Sequence, residues 1–214
     1  MGQKSSGQCS FSAGASWLHT HWQCGTPFLA VYTILFLLLF VYPQGTPVFW
    51  IWICLPVYFV HQCEEYLWPG GFMATLTHRF SKRHGSDPDI PILSAREAYW
   101  INVGIIWVLF PASAVAAMTV DPVCGLWVPC FTVLNGLSHV IAGIQDHTYN
   151  PGLAASLALN IPVGTAAILI LLNAGIGGTA AWAAAILIAV GFMAFIAGYA
   201  AYRSRNRNRT PARQ

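Results

Sequence analysis

Charge is scarce in this 214-residue chain: Lys, Arg, Asp and Glu together make up only 8% of it. Soluble domains carry about 25%, so the chain lacks the polar surface that would keep it in water, and lipid is its expected solvent. A paired-cysteine framework is missing as well. Of six cysteines, Cys54 and Cys63 fall inside an apolar run and the rest are scattered, which argues against disulfides, a Cys124–Cys130 bridge included. No cleavable signal peptide is expected, because residues 1–26 hold a single Lys and no uninterrupted apolar core. There is no internal repeat, and nothing of low complexity outside an Arg/Asn tail.

What the chain has in abundance is apolar residues, 56% of the total. A helix needs about 20 of them to cross the ~30 Å hydrocarbon layer. Six stretches are candidates: Phe28–Tyr42, which is short, Pro47–Trp68, Ala98–Met118, Leu126–Gln145, Pro151–Leu172 and Thr179–Tyr202. The expected fold is all-α, a polytopic transmembrane helix bundle of six spans, or five if the first is interfacial. Three regions follow: a cytoplasmic N-terminal segment 1–26, a helical membrane domain 27–202, and an Arg-rich cytoplasmic tail 203–214. In the last span Ala194 and Gly198 form a small-xxx-small pair, read as ordinary packing within the bundle.

The basic residues set the orientation. Arg203, Arg205, Arg207, Arg209 and Arg213 lie in the tail, and Arg79, Lys82, Arg83 and Arg96 lie in the 69–97 loop. Positive residues beside a span stay in the cytoplasm, which accounts for both clusters without a nucleic-acid partner. With six spans, both termini and the loops 69–97 and 146–150 share the cytoplasmic side. Met1-Gly2-Gln3-Lys4-Ser5-Ser6 also matches the N-myristoylation pattern of eukaryotic hosts, with Cys9 nearby as a palmitate acceptor.

Ionisable groups within the spans are expensive and ask for a partner or a task. His61-Gln62-Cys63-Glu64-Glu65 is the densest set. Residues three and four apart share a helix face, so His61, Glu64 and Glu65 form one stripe, and a bound cation would relieve the crowding of two carboxylates. Asn135 and His139 lie four apart on the fourth span, and Asn102 lies on the third. At a rise of 1.5 Å per residue, His61 is about 10 Å, His139 about 9 Å and Asn102 about 7–8 Å from the cytoplasmic ends of their helices. The three helices thus place polar groups in one layer, with Glu64, Glu65 and Glu97 slightly shallower.

Structural explanations stand beside these. Ser94-Ala95-Arg96-Glu97 has the spacing of a capping box. Glu97 and Asn102 are about 140° apart around a helix, so both cannot point inward. Asn102 and Asn135 also suit interhelical hydrogen bonds, and Asn150-Pro151 reads as an N-cap followed by proline at the first helical position.

On His61-Gln62-Cys63-Glu64-Glu65, Asn135 with His139, and Tyr149-Asn150-Pro151-Gly152, the chain resembles the HXXEE-domain membrane proteins over roughly residues 45–200. The resemblance implies a small multi-spanning bundle with one polar site and no settled reaction. There is a looser likeness to intramembrane CAAX-type proteases, which also combine a paired Glu with later His and Asn. It departs where an Arg is expected downstream of the paired Glu and in the order Asn135-xxx-His139.

These readings lead to a metal-dependent membrane enzyme, hydrolase-like, acting on a lipid or membrane-embedded substrate. His61, His139 and a glutamate (Glu64, with Glu97 as a further candidate ligand) would hold a divalent metal, Zn or Fe, with a position left open for water. Glu65 would serve as general base, and Asn135 or Asn102 would steady an oxyanion. A carboxylate-bridged di-iron oxidoreductase, a metal-free acid/base isomerase or cyclase, a proton- or cation-coupled transporter and a non-catalytic scaffold remain as alternatives. Asn160/Pro162 is the feature that favours the transporter.

Overall fold

The computed structural model describes residues 14 and 16–207; the Gly2 and Cys9 lipidation pattern and the arginines at 209 and 213 lie outside them. Among the described residues all regular structure is helical. The elements are α1 (Ser16–Gln44), α2 (Phe49–Trp52), α3 (Cys54–Tyr66), α4 (Phe72–His84), α5 (Ala95–Thr119), α6 (Pro122–Asp146), α7 (Leu153–Asn173) and α8 (Thr179–Arg207).

Five helices, α1 and α5 to α8, are long and apolar enough to cross a membrane. The expected Pro47–Trp68 span is the exception. It breaks at Ile53 into α2 and α3, because the ring of Pro56 offers no N–H to the Trp52 carbonyl and crowds it. Helix α1 begins at Ser16 rather than Phe28.

Proline shapes three other helices in the same way. Leu37–Val41 in α1, Val103–Leu109 in α5 and Ser156–Asn160 in α7 widen to π-type turns. Each contains the residue four before a proline: Leu39 before Pro43, Trp107 before Pro111, Ala158 before Pro162. A wider turn moves the carbonyl away from the proline ring and keeps the helix continuous.

Aromatic residues build the centre of the bundle. Tyr58 of α3 meets Phe110 of α5 at 5.6 Å and Phe131 of α6 at 5.9 Å between ring centroids, and Phe110 meets Trp127 at 5.3 Å. Helix α8 lies against α6 through Ala185, Ala189 and the Phe192–Trp127 pair. Small side chains there let the helices approach closely. Ala194 and Gly198, by contrast, are exposed, so the expected small-residue pair takes no part in packing within the chain.

Polar contacts gather α4 and the turn after it, the end of α6, the start of α5 and the end of α8 at one end of the bundle. Arg79 pairs with Asp146 at 2.6 Å, Arg203 with Glu97 at 3.1 Å, and Ser86 meets Ser204 at 3.1 Å. Helix α4 stops at Gly85, whose φ of +67° suits a residue without a Cβ.

Candidate metal centre

Helix α3 brings His61 and Glu65 to the same face, and α6 brings Asn135 and His139 opposite them. One oxygen of Glu65, Oε1, lies 3.5 Å from Nε2 of His61 and 3.3 Å from Nε2 of His139. The two imidazoles meet edge to face with centroids 4.7 Å apart. Ligand atoms of His61, Glu65 and His139 all lie within 4.8 Å of one another, and the three residues are buried.

The loop between α6 and α7 completes this arrangement. Asn150 donates from Nδ2 to the backbone carbonyl of His139 at 2.9 Å, which fixes its amide orientation, so its Oδ1 accepts from Nδ1 of His139 at 2.7 Å. With a proton held on Nδ1, a neutral His139 presents a bare lone pair from Nε2 to the Glu65 carboxylate. Two acceptors at 3.3 Å repel unless a cation lies between them, whether a proton or a metal ion. Nε2 of His61 lies 3.0 Å from Nδ2 of Asn135, while its Nδ1 is buried without a partner.

Gly152 is the floor of the site. Its φ is +98°, and a Cβ there would lie 2.6 Å from Cε1 of His139 and 2.8 Å from Cε1 of His61. Only glycine fits beneath both rings.

The two adjacent glutamates have separate surroundings. Glu64 turns to the start of α7, where it accepts from the backbone N–H of Ala154 at 2.9 Å and of Ala155, and from the hydroxyl of Tyr149. Free N–H groups at a helix start favour a carboxylate. Burial at the Glu64 end and the bond to that carboxylate push the Tyr149 phenol up to about 12. The geometry therefore corrects the expected division of labour: Glu65, not Glu64, lies between the histidines.

Glu97 is also corrected. It closes the capping box with Ser94 and turns to Tyr199 and Arg203 of α8, away from the histidines. Helix capping and a cation on the neighbouring helix together outweigh an inward position. Asn102 lies between: its Oδ1 accepts from Gln62 at 3.1 Å and its Nδ2 donates to the Tyr66 hydroxyl at 2.9 Å, fastening α5 to α3. Trp107 donates to the other end of the Gln62 amide at 3.0 Å. Asn160 is wholly buried in the wide turn before Pro162, its amide atoms without partners.

A cavity of about 250 Å³ opens beside Glu65, His139, Asn135, Asn150 and Asn102. Most of its other walls are apolar, among them Met73, Leu76 and Ile196.

A multi-spanning helical protein with an interior histidine–glutamate centre on a largely apolar cavity is the class that this fold and site define. Residues 52–167 match the family described as "Protein of unknown function with HXXEE motif", and the chain belongs to that family. The motif residues are His61, Glu64 and Glu65, and the match extends over Asn135, His139, Asn150 and Gly152. No curated protein and no solved structure matches the chain.

Proposed function

We propose that this protein is a metal-dependent membrane enzyme, hydrolase-like, in which His61, Glu65 and His139 hold one divalent ion and its substrate is a lipid or another membrane-embedded molecule. The observation that carries the reading is the convergence of three acceptor atoms on one point beside the cavity, with the proton of His139 held on its far side by Asn150. Two imidazole nitrogens and one carboxylate oxygen are a donor set that suits zinc.

Two histidines and one glutamate would leave a fourth position for water, whose pKa a zinc ion would bring to about 7. Glu64 is occupied by its three donors, so the remaining oxygen of Glu65 is the carboxylate at hand for the water's proton. Asn135, whose amide lies beside His61, would donate to an oxyanion formed in the cavity. Orientation follows from charge: the basic α4 and the end of α8 face the cytoplasm, which puts the centre near that leaflet.

Elemental analysis of the purified chain tests this. One zinc per chain is expected, lost in His61→Ala and in His139→Ala. Wild-type protein that neither carries a metal nor takes up added zinc refutes it. In that case a proton shared by His139 and Glu65 remains, the metal-free acid/base reading, whose activity would survive chelators.

A further inference from the structure

The central cavity is the middle of three that share walls. On one side, Thr75, Arg79, Arg83 and Gln145 also line a wider outer cavity of about 890 Å³, to which His78, Lys82 and His147 add further nitrogen donors. On the other side, Ile101 is shared with a groove of about 650 Å³ between α5 and α8, walled by Trp100, Ile105, Phe192 and Phe195, with Ser94, Arg96, Glu97 and Tyr199 as its polar part. Trp100 and Phe195 are both more than half exposed, as expected of side chains that face acyl chains. Through these shared residues the cavity beside Glu65 and His139 adjoins a mostly apolar groove on one side and a basic mouth on the other.

The two ends differ in chemistry. The mouth carries Arg79, Lys82 and Arg83 against a single acid, Asp146, which pairs with Arg79. Among the described residues Arg83 has no hydrogen-bond or ion-pair partner. Guanidinium groups suit phosphate, to which they donate in pairs. The inner cavity has room for about eight waters at ~30 Å³ each, too little for a whole lipid, so a longer chain must continue into the groove beyond Ile101.

We infer that the ligand of this centre is a membrane lipid with an anionic phosphate headgroup, its phosphate at Arg79 and Arg83 and its acyl chain in the α5–α8 groove. The inference rests on the reading of the centre as a lipid-directed enzyme and names its substrate class.

The test uses the full chain in an uncharged maltoside detergent, titrated with dodecyl phosphate, dodecanol or inorganic phosphate and followed by tryptophan fluorescence. Losing a charge-assisted contact is worth about tenfold or more in affinity, so dodecyl phosphate should bind at least that much tighter than dodecanol. Arg83→Gln, a change at an exposed and unpaired side chain, should remove that advantage, and Ile101→Trp should block both chain-bearing probes. Equal binding of dodecyl phosphate and dodecanol, or an unchanged Arg83→Gln, overturns the inference. Inorganic phosphate bound as tightly as dodecyl phosphate overturns the lipid source. Repeating the titration after chelation separates this claim from the metal. Arginine-dependent binding by a chain that never holds zinc sinks only the metal reading. Binding that needs zinc and ignores Arg83 sinks only this one.

Discussion

Gly152→Ala is the most incisive single change. The added methyl would lie 2.6 Å from Cε1 of His139 and 2.8 Å from Cε1 of His61, where ordinary contact begins at 3.4 Å. The rings must therefore retreat by about 0.8 and 0.6 Å, more than the ~0.5 Å tolerance of a working site. Two costs accompany the shift: about 1–3 kcal/mol for a side chain at a φ of +98°, and about 1–3 kcal/mol for overpacking. The variant should lose roughly 2–6 kcal/mol of stability on these grounds, and with it stoichiometric zinc. Thermal unfolding and elemental analysis, each in the same detergent, read the two effects. Gly191→Ala is the control: nothing lies within 4 Å of a Cβ there, so neither quantity should fall. If Gly152→Ala matches wild type in both, the rings do not rest on this residue and the geometry argued for the centre is wrong.

Three further outcomes are expected. Asn150→Ala removes the acceptor on Nδ1 of His139 and should weaken zinc binding about 10–100-fold, as loss of such supporting bonds does; a metal titration showing wild-type affinity contradicts it. Glu64→Gln should keep the metal but lower stability by about 1.5–3 kcal/mol through lost charged hydrogen bonds, whereas Glu65→Gln should lose the metal, and elemental analysis of the pair distinguishes them. The phenol of Tyr149 is raised from 10.0 to about 12, so its contribution to stability is complete below pH 10 and disappears as pH rises through 12. Tyr149→Phe should abolish that alkaline loss, and unchanged pH-dependent unfolding in the variant would refute the assignment.

Much of this architecture was legible in the residues. The helical class and most crossings follow from apolar length, and the shared depth of His61, His139 and Asn102 follows from counting along three helices. Helix counting does not decide between Glu64 and Glu65, which both lie one turn beyond His61. The choice belongs to the start of α7, whose free N–H groups take Glu64 and leave Glu65 to the histidines. The capping reading of Glu97 described its local bonds, and the 140° between it and Asn102 does send them to different helices. The sequence does not mark Asn150 as a support for His139, because Asn-Pro before an apolar run looks like a helix cap. Helix α7 starts only at Leu153, after Gly152 has turned the chain beneath the rings. The signal lies in the whole Tyr149-Asn150-Pro151-Gly152 string: Asn150 and Gly152 meet the histidines, and Tyr149 holds Glu64. The break at Ile53 was concealed because Pro56 sits in an otherwise apolar run.

The engagement of Glu64 has a consequence for biosynthesis. Its three donors lie between Tyr149 and Ala155, so a nascent chain that has not yet delivered residues 149–155 holds a carboxylate in an apolar interior with none of these donors. Such a group is costly in lipid, and the early helices cannot settle around it until the later part of the protein is inserted. A polypeptide cut before Tyr149 would contain the whole His-x-x-Glu-Glu sequence and still be an unfinished product, open to recognition by membrane quality control.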